Sequence, residues 1–455
     1  MKRASSLELS RWVESDGRKP LIVRGARQVG KTWLVRDLAR ARGLDLIEIN
    51  FEQNPLAARW FASNDPRQIL GELSLAVGRD VVPGKSLLFL DEIQAGRTVL
   101  ATLRWFAEQL PGLAVVAAGS LLDFALAEAT TRVPVGRVSY LHLEPMSFPE
   151  FLQAHGQDRL LEVVSSWSPG EEPSLAGHEA ASSWFERFVM VGAMPAVVAA
   201  DVDQGNPREC RRLQTDLITT FRDDFARYAG RMDALILDHV LLAVASMLGR
   251  KFVAARVGEG VKQHQASRAL ELLCQARLCH RVLHSAANGV PLGGEINPRM
   301  RKVSLLDVGM AHALLGTPAG IEFPTWTSLA PQVRGQLSEQ VASQQLRLVQ
   351  ARPGHEPSLH YWQREGGRAG EIDFVLQCGP RIVPVELKAG AAGAMKSLHQ
   401  FMFDKGLTLA VRLDSNPPSL QDMDLATTKG QAVRYRLLNL PHYLAWRIGE
   451  LVEQL

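Results

Sequence analysis

The chain has 455 residues, 46% apolar and 22% charged, with 51 Lys and Arg against 48 Asp and Glu for a formal net charge of +3. That is the balance of an ordinary soluble protein with room for two to four domains, and its basic excess is too small to argue for nucleic acid by itself. Four scattered cysteines without a CxxC pair give no metal or disulfide framework. With no signal-type N-terminus and no apolar run of membrane-spanning length, the expected location is the cytoplasm, with no membrane partner.

The first informative stretch is Leu21–Trp33, LIVRGARQVGKTW, which contains Gly25-x-x-x-x-Gly30-Lys31-Thr32. An apolar run leads into it and a helical run from Trp33 to Arg42 leaves it. Glycines let the backbone curl around a phosphate chain, and N–H groups at a helix start then point at negative charge. Lys31 is placed to reach the β- and γ-phosphates and Thr32 to set its hydroxyl on Mg²⁺. Leu44–Phe51 reads as a second buried strand. Ser86–Leu90 reads as a third, followed by Asp91 and Glu92. Asp91 suits orientation of Mg²⁺ and its water, and Glu92 polarisation of an attacking water. A fourth strand, Leu113–Ala118, runs into Ser120, which is either a sensor of the γ-phosphate or the N-cap of a helix over 121–129. A fifth, Val138–Leu143, follows Arg137, which is either a surface residue or a phosphate contact within its own or a neighbouring subunit. Alternating strands and helices predict a parallel sheet with the nucleotide at the strands' C-terminal ends.

These motifs carry a resemblance. GARQVGKT at 25–32, LLFLDEIQ at 87–94, AAGSLLDF at 117–124 and the GR…LEPMSFPEFL stretch at 136–152 resemble the AAA-type ATP-binding proteins of bacteria and archaea that carry a C-terminal domain of unknown function. VGAMPAVV around Pro195 and LLDVGM at 305–310 extend the likeness over most of the chain. The resemblance implies ATP with Mg²⁺, hydrolysis and a helical lid. Many such ATPases form rings with an arginine supplied by a neighbour, for which Arg137 is a candidate, and the lid helices could equally close over the site within one chain.

Beyond 146, helical patterns cover 148–154, 179–200 and 209–229, the lid of that comparison. Thr220–Arg231 mixes arginines and aspartates and reads foremost as a salt-bridged helix. After an apolar helix over 233–248, two helices, 252–257 and 262–278, flank a Gly-containing turn in the manner of a helix-turn-helix. Leu270, Leu272, Leu273 and Leu278 are its expected core. Lys262, His264, Gln265 and Arg268 lie near the exposed start of the second helix, where such side chains meet phosphates and base edges. Arg281–Leu283 and a later strand would be the wing, and the resemblance also implies a winged-helix unit here.

A strand over 302–306, a helix over 307–315, a linker over 317–335 and a helix over 336–349 containing Glu339 come next. Strands are predicted over 359–363, 371–376 and 382–387. Strand alternation puts Glu371 and Asp373 on one face, and likewise Glu386 and Lys388. A hairpin about 378–381 would bring Asp373, Glu386 and Lys388 together as the Asp…Glu-x-Lys array of the PD-(D/E)xK nuclease fold, which this segment resembles. Glu339 matches its helical acid, and Ser397–Gln400 an auxiliary position. Two carboxylates would hold a second Mg²⁺ or Mn²⁺, with Lys388 assisting the attacking water. An exposed ion pair and a silent nucleic-acid or protein platform are the competing accounts.

The expectation is therefore an α/β chain: a P-loop AAA-type core at 1–145, a lid at 146–240, a winged helix-turn-helix at 241–300 and a nuclease-like domain at 301–455. As a function it predicts an ATPase that binds DNA, branched DNA being one target. An ATP-dependent metal endonuclease and a nucleotide-controlled signalling scaffold are the alternatives.

Overall fold

Short runs that are apolar on both faces are strands covered by helices on each side, and three such runs with a half-buried strand at either edge build the first sheet. The computed structural model describes every residue except 97, 128–135, 229, 231, 318, 321, 365–369 and 392, so the end of the helix expected over 121–129 and two residues of the Thr220–Arg231 run lie outside the description. The chain divides into two units: Met1–Pro145 with Gln275–Arg277 and Arg352–Glu356, and a second made of the remaining residues.

In the first unit, strands β1 (Leu21–Arg24), β2 (Asp45–Asn50), β3 (Ser86–Asp91), β4 (Ala114–Ala118) and β5 (Ser139–His142) form one sheet in the order β2-β3-β4-β1-β5. Every pairing in it is parallel. Strands β3 and β4 are buried along their whole length, as a central parallel sheet requires. Because β3, β4 and β1 are neighbours, the loop after β1, the acids after β3 and Ser120 after β4 all emerge at one edge. Phe51, Phe61, Phe89 and Phe106 fill the core beneath.

In the second unit, six helices run from Phe148 to Ser246. The single helix expected over 179–200 is two, Leu175–Val191 and Pro195–Gln204. Pro195 lacks an N–H and so starts a helix instead of continuing one. The break is fixed by Asp307. Its buried carboxylate accepts N–H bonds from Ala193 at 2.7 Å and Gly309 at 3.0 Å and a side-chain bond from Gln344 at 3.3 Å. Burial pushes the Asp307 carboxyl up to about 6 against those donors. VGAMPAVV and LLDVGM, far apart in sequence, thus meet at one carboxylate.

An eight-stranded mixed sheet follows: β6 (Cys279–Ser285), β7 (Ile296–Leu305), β8 (Leu359–Gln363), β9 (Glu371–Cys378), β10 (Arg381–Leu387), β11 (Leu409–Asp414), β12 (Ser419–Ala426) and β13 (Ala432–Pro441). Its order is β12-β13-β11-β10-β9-β8-β6-β7. β6 and β7 make an antiparallel hairpin behind the helix Gln263–Gln275, and β6 also pairs with β8, so this hairpin and the nuclease-like strands share one sheet. The stretch expected as a helix over 252–257 is only a short 3-10 turn at Ala254–Arg256. The helix with Glu339 begins at Pro331, five residues earlier than expected, with proline in its first turn. Strand β12 was not anticipated: it is a half-exposed edge strand carrying Asp422 and Asp424, with little apolar alternation to mark it.

Candidate nucleotide site and a nuclease-like carboxylate cluster

The loop after β1 ends at Gly30, whose φ of 98° is a conformation suited to glycine, and the helix Lys31–Arg42 starts there. Arg3 pins the loop from behind, donating to Val29 O at 2.8 Å and Glu144 O at 2.7 Å. Lys31 is buried, and its ammonium donates only to the carbonyls of Gly25 at 3.0 Å and Ala26 at 2.8 Å. Burial pulls its pKa down to about 8, while Glu92 and Asp91 act against that pull. Among the described residues no carboxylate contacts this ammonium, so its charge is balanced only by carbonyl dipoles.

Thr32 Oγ1 donates to Asp91 Oδ2 at 3.1 Å, which joins the end of the phosphate loop to the end of β3. Burial and the neighbouring Glu92 raise the Asp91 pKa. Glu92 Oε2 accepts from Gln94 Nε2 at 2.6 Å and from the N–H and hydroxyl of Ser120 at 3.0 and 3.1 Å. The expected members Gly25, Gly30, Lys31, Thr32, Asp91, Glu92 and Ser120 therefore gather at one sheet edge. Arg137 is not drawn into that group. It is half-exposed and donates to Glu108 at 2.8 Å. Gln94 and Arg277 were not anticipated. Arg277, buried, binds Asp123 at 2.6 Å; Arg24 pairs with the same carboxylate, and Glu356 lies 3.5 Å from Arg277. No local motif marks Arg277, since its partners lie 154 and 79 residues away.

In the second unit the expected hairpin forms, with Val385 opposite Phe374 and Arg381 opposite Cys378. One step further along, Leu387 N–H donates to Asp373 Oδ2 at 2.8 Å, so Asp373 and Glu386 share a face. Lys388 Nζ donates to Glu386 Oε1 at 2.7 Å. Glu339 joins them from its helix through Lys302, whose ammonium lies 2.7 Å from Glu339, 2.5 Å from Glu371 and 3.9 Å from Asp373. Burial raises the Glu339 pKa against the pull of Lys302, and burial with Asp373 raises that of Glu386. Lys302 and Lys388 thus bring two ammoniums to the four carboxyls of Glu339, Glu371, Asp373 and Glu386. Gln400 is turned to Asp404 and Gln431, at 2.7 and 2.9 Å.

At the helix Gln263–Gln275, Ala266, Leu270, Leu272 and Leu273 are buried, and so is Leu278 beyond its end. Lys262, His264 and Arg268 are exposed. Gln265 is half-buried and accepts from the Lys262 N–H at 3.1 Å. In the arginine–aspartate run, Arg222 pairs with Asp238 at 2.6 Å and Arg227 with Asp224 at 3.6 Å, the salt-bridged arrangement expected of it.

Sheet order, phosphate loop and the acids after β3 define an α/β P-loop ATPase of the AAA type. Residues 17–152 match the family described as AAA domain, so this stretch is an AAA-type ATP-binding domain. Residues 182–320 match Domain of unknown function (DUF8612), and residues 334–414 match Domain of unknown function (DUF4143). No curated protein matches the chain. Among solved structures it is similar to Aeropyrum pernix Orc1 in complex with DNA, at 16% identity and a TM-score of 0.28, over 70% of this chain and 94% of that one. AMPPCP-bound DnaA from Aquifex aeolicus shares 13% identity at a TM-score of 0.26, over 60% of this chain and 88% of that one. PCH-2 of C. elegans shares 14% identity at a TM-score of 0.21, over 38% and 48% respectively. No helix among the described residues is long and apolar enough to cross a membrane.

Proposed function

We propose that this ATPase binds DNA and couples its nucleotide state to DNA handling. In this reading Gly25–Thr32 cradle ATP, Lys31 neutralises the terminal phosphates, and Ser120 and Glu92 sense them. The 3.1 Å pair of Thr32 and Asp91 is the donor set that would hold Mg²⁺. An ion held by these two residues would supply positive charge to the phosphates. Glu92, free to leave Ser120, orients the attacking water. Arg137 joins the reading as a residue offered to a neighbouring copy, because its pair with Glu108 is solvent-exposed and easily exchanged.

The observation that carries the DNA assignment is the helix Gln263–Gln275: its apolar side is buried, while Lys262, His264 and Arg268 stay exposed at and near its start. That is the disposition of a helix whose outer face meets phosphates and base edges. The hairpin β6–β7 supplies the wing, with Arg299 exposed on it. The test is ATP turnover measured with and without duplex, single-stranded and branched DNA, paired with fluorescence anisotropy at low salt. Stimulation or binding that Lys262→Ala and Arg268→Ala weaken supports the assignment. Absence of any shift at low salt replaces it with a scaffold whose partner is protein.

A further inference from the structure

The nuclease-like array raises the question of whether it holds a metal, and the residues do not fit one. A hard divalent cation such as Mg²⁺ takes six oxygen ligands, several of them waters and one or two of them carboxylates free to turn toward it. Here one oxygen of each of the four carboxylates is already engaged by an ammonium or a backbone N–H. Asp373 Oδ2 accepts the Leu387 N–H at 2.8 Å, Glu386 Oε1 accepts from Lys388 at 2.7 Å, and Glu339 Oε1 and Glu371 Oε1 accept from Lys302. Glu339 Oε2 lies against Gly249, where a Cβ would meet it at 2.8 Å. Glu386 Oε2 is buried without a partner. No group of three or more His, Cys, Asp and Glu among them has the arrangement of a metal site.

We propose that Lys302 is a built-in cation that takes the place of the divalent metal in the Glu339–Asp373–Glu386 centre, so the C-terminal domain grips its partners without cutting nucleic acid. The backbone sets this up. Lys302 and Ser304 point to one face of β7, two residues apart, and they meet Glu339 and Ser343, one helical turn apart on the helix Pro331–Val349. The second rung is a hydroxyl pair at 2.9 Å between Ser304 and Ser343. A two-residue strand step of about 6.6 Å matches a four-residue helix step of about 6 Å, so both rungs close at once. Lys302 is 2% exposed, and the Tyr361 ring lies 5.4 Å from its ammonium. The side chain is therefore held in place rather than swinging in from solvent. A metal would have to displace an ammonium that already has its carboxylates, against like-charge repulsion from Lys302 itself. The assignment stands apart from the DNA-binding reading, since it concerns only what the acids hold.

The experiment is Mn²⁺ binding to the full-length chain without nucleotide, followed by loss of the free-ion electron paramagnetic signal, with nicking of supercoiled DNA run alongside. The wild-type chain should take up no Mn²⁺ at millimolar concentration and nick no DNA. Lys302→Met should gain a bound ion, and adding Asp373→Asn should remove it again. Wild-type uptake or nicking that Asp373→Asn abolishes overturns the proposal. So does a folded Lys302→Met chain that binds no more Mn²⁺ than wild type. If Lys302→Met does not fold, the wild-type and Asp373→Asn chains decide the matter between them.

Discussion

Each unit buries one lysine within its candidate site, and the two lysines are solvated in opposite ways. Lys31 has two carbonyls for company, and burial draws its pKa down to about 8. Lys302 is equally withdrawn from water, but Glu339, Asp373 and Glu371 outweigh the burial and raise its pKa above the ordinary lysine range. A buried ammonium next to neutral acceptors stores affinity for an anion that has yet to arrive. One among carboxylates has spent that affinity on its own chain. On the reading proposed above, the first arrangement suits a site that fills and empties, the second a fixed scaffold.

The largest effects follow from removing either ammonium. Lys31→Ala should reduce ATP turnover by roughly 10³-fold, the scale of losing a preorganised donor to developing charge, while the thermal midpoint barely moves. Unchanged turnover in a steady-state assay would break the assignment of the phosphate loop. Lys302→Ala should do the reverse. It leaves Glu339, Glu371 and Asp373 without a countercharge and should cost about 3 kcal/mol of stability in denaturant melts, with nucleotide affinity intact. A smaller effect is expected from pH. The bound phosphates favour protonated Lys31, and below pH 8 the free protein already carries that proton. Above pH 8 binding must take a proton up, so ATP affinity should fall by at most about tenfold per pH unit. Lys31→Arg, protonated throughout, should flatten that dependence in equilibrium nucleotide binding at pH 7 to 9.5 even if its affinity is lower.

The nucleotide site was legible because its chemistry is local. Gly25 to Thr32 lie within eight residues, and Asp91 and Glu92 end an apolar run that can only be a buried strand. The hairpin of Asp373 and Glu386 was legible for a related reason: a period of two fixes the face of every residue once the turn is placed. Lys302 escaped notice because its partners are 37 and 69 residues away in sequence and β7 showed only its last few residues as a strand pattern. Asp307 was hidden the same way, reading as the start of a helix until its bond to Ala193 joined two distant segments. The strand β12 was lost for want of apolar alternation, since an edge strand needs to bury only one partner's worth of surface.

The smallest predicted effect sharpens the same contrast from outside both centres. Lys262 and Arg268 are exposed, and Arg268 holds only a solvent-facing pair with Glu271 at 3.3 Å. Neither has spent its charge, so both should behave like Lys31 rather than Lys302 when an anion approaches. Against DNA phosphates each contact releases condensed counterions, and its loss should lower the slope of log affinity against log salt by about 1. Anisotropy titrations of duplex DNA over a range of salt concentrations, on Lys262→Ala and Arg268→Ala separately, read that slope directly. A uniform weakening across sequences assigns the residue to a phosphate, and a loss confined to one sequence assigns it to a base edge. An unchanged slope in both variants would remove the helix Gln263–Gln275 from the DNA interface. Arg299, exposed within β7 where the hairpin register shifts, would then be the next surface to test.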